Sequence, residues 1–163
     1  MARIDFVTGN AQRYLPEVEA LATMPDRLEA LLAGHSNAEL QRAPDDGGWS
    51  AARIIGHLIS YTRHSRAEFH VMVWMTDPPL PDWDEAAEAT AQDWDRQDAA
   101  RLLELLTEAT SEAVEVLKEI PDASWGRAGI HPRSGRLSIR QLASRRRRHF
   151  EQHLKQLEQA LDG

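Results

Sequence analysis

In RRRRHFEQHLKQLEQ, residues 145–159, two histidines stand four places apart, His149 and His153. Four residues of α-helix advance about 400°, so the two imidazoles share a face one turn apart and can grip one metal ion. Upstream, Ser138 with Gln141 three residues later makes a capping box, which starts a helix running to about Leu161. Its inward seam reads Ile139, Leu142, Arg146, His149, His153, Leu157, Ala160. Two histidines and one arginine interrupt an otherwise apolar line. Imidazole is costly to bury unless both nitrogens find partners.

A third histidine lies far upstream, in GGWSAARIIGHLISY, residues 47–61. Ser50 caps a helix there that runs to about Thr76 and carries His57. Its apolar stripe is Ile54, Ile55, Leu58, Thr62, Ser65, Phe69, Met72 and Val73. His57, Tyr61, His64 and Glu68 follow one another along an adjacent stripe. Three imidazoles from two neighbouring helices would form a facial ligand set with a position left open. That is the arrangement of a catalytic zinc site rather than of a closed structural one.

Two more helices complete the pattern. One runs from about Asn10, a plausible N-cap, to Ala33, with Gly34 as its stop and Pro25 forcing a kink or restart. The other spans about Asp98 to Ile120 and ends at Pro121. Between the second and third helices lies a long connection, residues 77–97, with a short helix expected around Glu85 to Thr90. A second long connection, PDASWGRAGIHPRSGRL, residues 121–137, precedes the fourth helix. Loops this long are uncommon inside compact domains and often line functional sites. No strand pattern is visible. The expectation is an all-α four-helix bundle with two long inter-helix connections, forming one domain over residues 1–163.

Composition narrows the function classes. The chain has no cysteine, which excludes disulfides, thiolate metal sites and a cysteine nucleophile. A metal must use histidine or carboxylate ligands, and thiol chemistry must bring its sulfur from a small molecule. No apolar run reaches membrane-span length, and MARIDFVTGN carries no signal-peptide core, so a cytoplasmic protein is expected. The net charge of −7 argues against general nucleic-acid binding. Yet Ala123 to Phe150 contains no acidic residue and ends in the run Arg145 to Arg148. This basic face pairs with an acidic face of the same protein or of a second subunit, or part of it binds an anion.

The other histidines carry weaker signals. His64 sits two turns from His57 and could face the same cavity; His131 could touch it through its loop. His70 belongs to another face, and His35 to a loop at the surface. Among the tryptophans, Trp49 and Trp125 are expected to cover the bundle ends, while Trp74, Trp83 and Trp94 bracket the long connection. Their expected role is core and lid packing, with an apolar substrate wall or a dimer contact as the alternatives.

Several features now combine. Trp49-Ser50 precedes a helix with its first histidine in IIGHL; Trp125, His131-Pro132 and Gly135 punctuate the loop before the last helix; and His149, His153, Leu154, Gln156 and Leu157 close the chain. In this order and spacing, from about Pro25 to Leu161, the sequence resembles the DinB/YfiT-like family of candidate metalloenzymes. The resemblance implies an up-down-down-up four-helix bundle holding one divalent metal on His57, His149 and His153. The unbroken arginine run before His149 departs from that pattern.

Three neutral imidazoles would leave the double charge of such a metal uncompensated. Zinc so held lowers the pKa of bound water to about 7. Zinc is the expected metal, although histidine ligands also suit nickel, iron or copper. The resemblance implies activation of a low-molecular-weight thiol such as bacillithiol or mycothiol for S-transfer to a small-molecule substrate. Hydrolysis by the same centre and a non-catalytic metal-binding stress-response protein are the alternatives. Arg146 could hold a carboxylate of substrate or cofactor, or form a salt bridge to a glutamate of the first or third helix. Tyr61 could orient a water or substrate, or simply pack in the core. Bundles of this kind often pair, so a homodimer is a further expectation.

Overall fold

The computed structural model describes residues 14–162. The first helix of the bundle is broken in two, α1 (Leu15–Ala22) and α2 (Met24–Leu32). Pro25 lies in the first turn of α2, where its missing N–H costs no helical bond. The restart therefore falls at Thr23, beside the expected proline. The expected cap at Asn10 lies outside the described residues. Gly34, at φ +88°, ends the helix in the left-handed region that a side chain resists.

A short helix not read from the sequence follows, α3 (Asn37–Gln41). Ser36 and Glu39 form its capping box, with the Glu39 carboxylate 2.6 Å from the Ser36 amide. The second bundle helix is α4 (Ala51–Trp74), capped by Ser50, whose Oγ accepts from the Arg53 N–H at 3.1 Å. α5 (Glu85–Gln92) sits in the first long connection, and α6 (Ala99–Glu119) and α7 (Ile139–Asp162) complete the bundle. Ser138 and Gln141 close the expected box at the start of α7, at 2.9 and 3.2 Å.

Cross-helix ion pairs report the directions of the four bundle helices. Arg63–Glu108 and Arg66–Glu112 advance together, so α4 and α6 are parallel. Glu17–Arg147 and Arg27–Glu151 do the same for the first helix and α7. Between α4 and α7 the order reverses: Glu68 meets Arg146, whereas His57 meets His149. The result is up-down-down-up. The consecutive helices α4 and α6 are parallel and cannot be joined by a tight turn, which is why the connection between them is long.

The core falls into two clusters. Leu28, Leu40, Ile54, Ile55, Leu58, Leu102, Leu106 and Leu157 pack around the end that carries the histidines. Phe69, Met72, Leu117, Trp125, Ile139 and Leu142 fill the other end. Trp125 is fully buried there and stacks on Tyr14, at 4.3 Å between ring centroids. No helix among the described residues is long and apolar enough to cross a membrane.

The strand-free reading needs correction. The second long connection folds into an antiparallel pair, β1 (Ala128–His131) and β2 (Gly135–Ser138), with Ala128 opposite Ser138 and His131 opposite Gly135. Four-residue strands are too short to show an alternation in the sequence. The first long connection joins them: the Leu80 N–H donates to the Ile130 carbonyl and the Ile130 N–H to the Pro78 carbonyl, each at 2.8 Å. The two connections thus brace each other beside the start of α7.

Candidate metal centre

His57 projects from α4, and His149 and His153 project from consecutive turns of α7. One nitrogen from each ring falls within 4.8 Å of the others. The rings meet edge to face, at 62° to 76° to one another and 4.4–5.1 Å between centroids. His57 is only 3% exposed, while His149 and His153 are half-buried. Helix packing beside the first ring is tight. A Cβ on Gly56 would fall 2.2 Å from Cγ of Trp94, so glycine at that position lets the buried indole seat against α4.

The electrostatics favour neutral rings. Burial, with the neighbouring His153 and His149 adding to it, pushes the His57 pKa down to about 3. Burial and the charges of His153 and Arg146 push His149 down to about 4. His153 is also lowered by burial, against a hydrogen bond to Gln156 that raises it. Uncharged imidazoles are the form that binds metal.

The tautomers follow from the surroundings. Nδ1 of His153 lies 2.8 Å from Oε1 of Gln156, so this nitrogen carries the proton and donates it to the amide oxygen, leaving Nε2 with a free lone pair. Nε2 of His57 and Nε2 of His149 face each other at 2.8 Å. Glu85 Oε1 lies 2.8 Å from Nδ1 of His57 but off the direction of its N–H, and that nitrogen has no hydrogen-bond partner. Two ring nitrogens turned toward each other, with a third nearby, form a donor set that a single cation would satisfy. The residues present therefore fit a divalent metal.

Aromatic rings wall the cluster. Trp49 lies parallel to His153 at 6.2 Å and Trp83 stacks on His57 at 5.7 Å. Trp83 donates its indole N–H to Glu88 of α5, which holds it in place. Trp74, by contrast, is 75% exposed. Tyr61 stacks on His149 at 3.9 Å, with the Arg146 guanidinium 4.1 Å from the centroid of the tyrosine ring. Tyr61 is therefore held between an imidazole and a cation. Burial raises its pKa, and Arg146 offsets that only in part.

Arg146 forms its ion pair with Glu68, on the second bundle helix rather than on the first or third. Glu68 is fully buried and also lies 3.3 Å from Nε2 of His64. Burial alone would raise the Glu68 pKa, but His64 and Arg146 outweigh it and hold the carboxyl below its usual range. Arg146 is thus already committed to a protein carboxylate.

Two cavities open beside the cluster. One, of 520 Å³, is lined by Trp49, His57, Ser60, Trp83, Trp94, His149 and His153 among others. The other, of 610 Å³, shares Trp83, Glu85 and His149 with the first and includes Tyr61, His64, His131 and Arg145. His64 and His131 therefore do face the site region, whereas His70 is exposed on another face. The roles of Glu85 and Gln156 beside the histidines were not anticipated, whereas the wall position of Trp83 matches the alternative that the sequence offered for the tryptophans. Gln156 had a readable signal, three residues after His153 on the same helix face. Glu85 reaches His57 through the path of a loop, which no local pattern encodes.

Comparison with known proteins places this geometry. YfiT of Bacillus subtilis (strain 168), described as a candidate metal-dependent hydrolase, is 24% identical over 115 residues. That match takes in 71% of this chain and 65% of the relative, so the chain spans about two thirds of the relative's length. A solved structure of YfiT from Bacillus subtilis, described as having an unusual four-helix bundle topology, superposes with a TM-score of 0.83. The superposition covers 92% of this chain and 87% of that one at 19% identity, a likeness of fold. The family profile matches residues 20–157, a span that includes all three histidines, and the chain belongs to the DinB superfamily.

Proposed function

We propose that the protein is a metal-dependent hydrolase whose divalent ion is held by His57, His149 and His153. The observation that carries this reading is the convergence of three imidazoles beside two open cavities. The description of its relative YfiT supports the same class. A metal in that position supplies Lewis acidity, lowering the pKa of a coordinated water or thiol and polarising a substrate carbonyl. Zinc is the first candidate, and nickel, iron and copper also suit the ligands.

The remaining residues divide the other tasks. Gln156 orients His153, and Tyr61 backs the His149 ring. Glu85 lines both cavities and is half-exposed, with its pKa raised by burial. A carboxylate so placed can accept a proton from a nucleophile entering either cavity. Arg146 positions Tyr61 and neutralises Glu68.

A second reading has the same centre activating a low-molecular-weight thiol for S-transfer. It is favoured by the arginines of the larger cavity, which suit a carboxylate-bearing thiol, and the absence of cysteine in the chain is compatible with a sulfur supplied by a small molecule. Elemental analysis of the purified protein beside His57→Ala, His149→Ala and His153→Ala tests the metal site. One equivalent of metal in the parent and little in the variants is expected; metal retained by the variants would refute the assignment. Turnover of activated esters and amides, with and without glutathione, bacillithiol or mycothiol, separates the readings. Turnover without thiol supports hydrolysis, and strict thiol dependence supports transfer.

A further inference from the structure

We propose that the 610 Å³ cavity binds a compact oxyanion of the substrate, a carboxylate or a phosphate, through Arg145 and Arg148 of α7. This deepens the metal-dependent reading, because it places the anion beside His149 and so specifies the substrate class.

The four arginines of the run have different fates. Arg146 turns inward to Glu68, and Arg147 reaches across to Glu17 at 2.9 Å. Arg145 meets only a hydroxyl, Ser134 Oγ at 2.8 Å, and Arg148 has neither an ion pair nor a hydrogen bond among the described residues. Elsewhere in the basic stretch, Arg133 pairs with Asp82 and Arg136 with Asp77, and Arg127 donates to the Met72 and Met75 carbonyls. Among the described residues, carboxylates thus pair with Arg133, Arg136, Arg146 and Arg147, whereas Arg127, Arg140, Arg145 and Arg148 have no carboxylate partner, and of these four Arg145 and Arg148 line the cavity.

Their placement is regular. Arg145, Arg148, His149 and Gln152 stand at i, i+3, i+4 and i+7, so they form one stripe of α7, and all four line the cavity. His149 belongs to this stripe and to the histidine cluster. In a chain of net charge −7, two uncompensated cations on a concave wall are a specific feature and not part of a general basic surface. Guanidinium presents paired N–H donors that match a carboxylate or phosphate edge. A solvated convex face would serve the same arginines equally well, but it would not enclose them with Trp83, His131 and Ser134. An anion held there leaves the rest of a small substrate extending toward the histidines.

The test is titration calorimetry at low ionic strength with inorganic phosphate and with succinate, using the full chain as purified and after removal of metal by chelation. Binding is expected in both metal states. The tighter of the two probes identifies the anion class. Arg145→Gln combined with Arg148→Gln is expected to weaken binding by about tenfold or more, from the loss of charge-assisted hydrogen bonds. Arg147→Gln, whose partner lies outside the cavity, is expected to bind like the parent. Absence of binding by both probes, or equal weakening by Arg147→Gln, would overturn the proposal. Metal content measured on the same samples keeps the two readings apart. Full metal without anion binding refutes only the arginine site, and anion binding by a protein that holds no metal as purified or after reconstitution supports it while refuting the metal centre.

Discussion

Glu68 and Arg146 close a buried ion pair between antiparallel helices, and the guanidinium in turn lies over Tyr61, which stacks on His149. One end of the pair is fully buried and the other is 12% exposed. Such a pair is a modest contributor as a whole, because desolvation offsets most of the attraction. Removing one partner is a different matter, since it leaves the other charge buried and alone.

Glu68→Gln and Arg146→Met are therefore each expected to destabilise the protein by about 3 kcal/mol or more. The double variant Glu68→Leu with Arg146→Met is expected to recover much of that loss. Urea unfolding of the three proteins and the parent measures it. Additive losses in the double variant would mean that the pair is not coupled as described. Because Arg146 supports Tyr61, the single variants should also loosen the His149 side of the cluster.

The four long helices were legible because each carries an apolar period over several turns and a readable end, such as Ser50 or Ser138 with Gln141. The metal candidates were legible for the same reason: a histidine pair on one helix face is a local pattern. The partner of Arg146 was not. Glu68 lies 78 positions away, and which helix faces which is set by the topology and not by any local window. The hairpin of β1 and β2 was missed because its strands are four residues long and draw their order from Pro78 and Leu80 in the other connection. Glu85 belongs to the same class of contact.

Gly56→Ala is expected to be costly for a steric reason. The added methyl would overlap the Trp94 ring, with Cγ, Cδ2 and Cβ of that side chain 2.2 to 2.6 Å away. Trp94 is 2% exposed and has little room to move. Overpacking of this kind costs typically about 1–3 kcal/mol, in spite of the better helix propensity of alanine. A lowered melting temperature with reduced metal affinity is the expected result, because His57 is the next residue. An unchanged melting temperature would show that the indole relocates freely.

Stability of the metal-free protein should fall on acidification from about pH 6.5 downward. His57 and His149 are held at about 3 and about 4 in the fold, against 6.5 for a free ring, chiefly by burial. Between these limits the unfolded chain binds protons that the folded chain refuses, so stability rises with pH over that window. The contribution is fully present above the unfolded pKa and is lost progressively as the pH falls toward the folded values. Urea midpoints of the chelated protein at pH 7.5, 6 and 5 measure the slope. His57→Asn should flatten it, and a parent protein without slope in this window would mean that the rings are not desolvated as described.

Gln156→Leu isolates the orientation of a ligand from the ligand itself. The glutamine oxygen, 2.8 Å from Nδ1 of His153, fixes the proton on that nitrogen and leaves the Nε2 lone pair for a metal. Without it, His153 can place its proton on either nitrogen and rotate about χ2, while its position on α7 is unchanged. Outer hydrogen bonds of this type are typically worth about 10–100-fold in metal affinity. Competition with a chromophoric chelator is expected to show a loss in that range, with the far-UV dichroism of the variant intact. Glu85→Gln should cost less, because the Glu85 carboxylate is near Nδ1 of His57 but off its N–H direction. The ranking matters as much as the size: a larger loss from Glu85 than from Gln156 would mean that His57, not His153, is the ligand whose orientation limits binding.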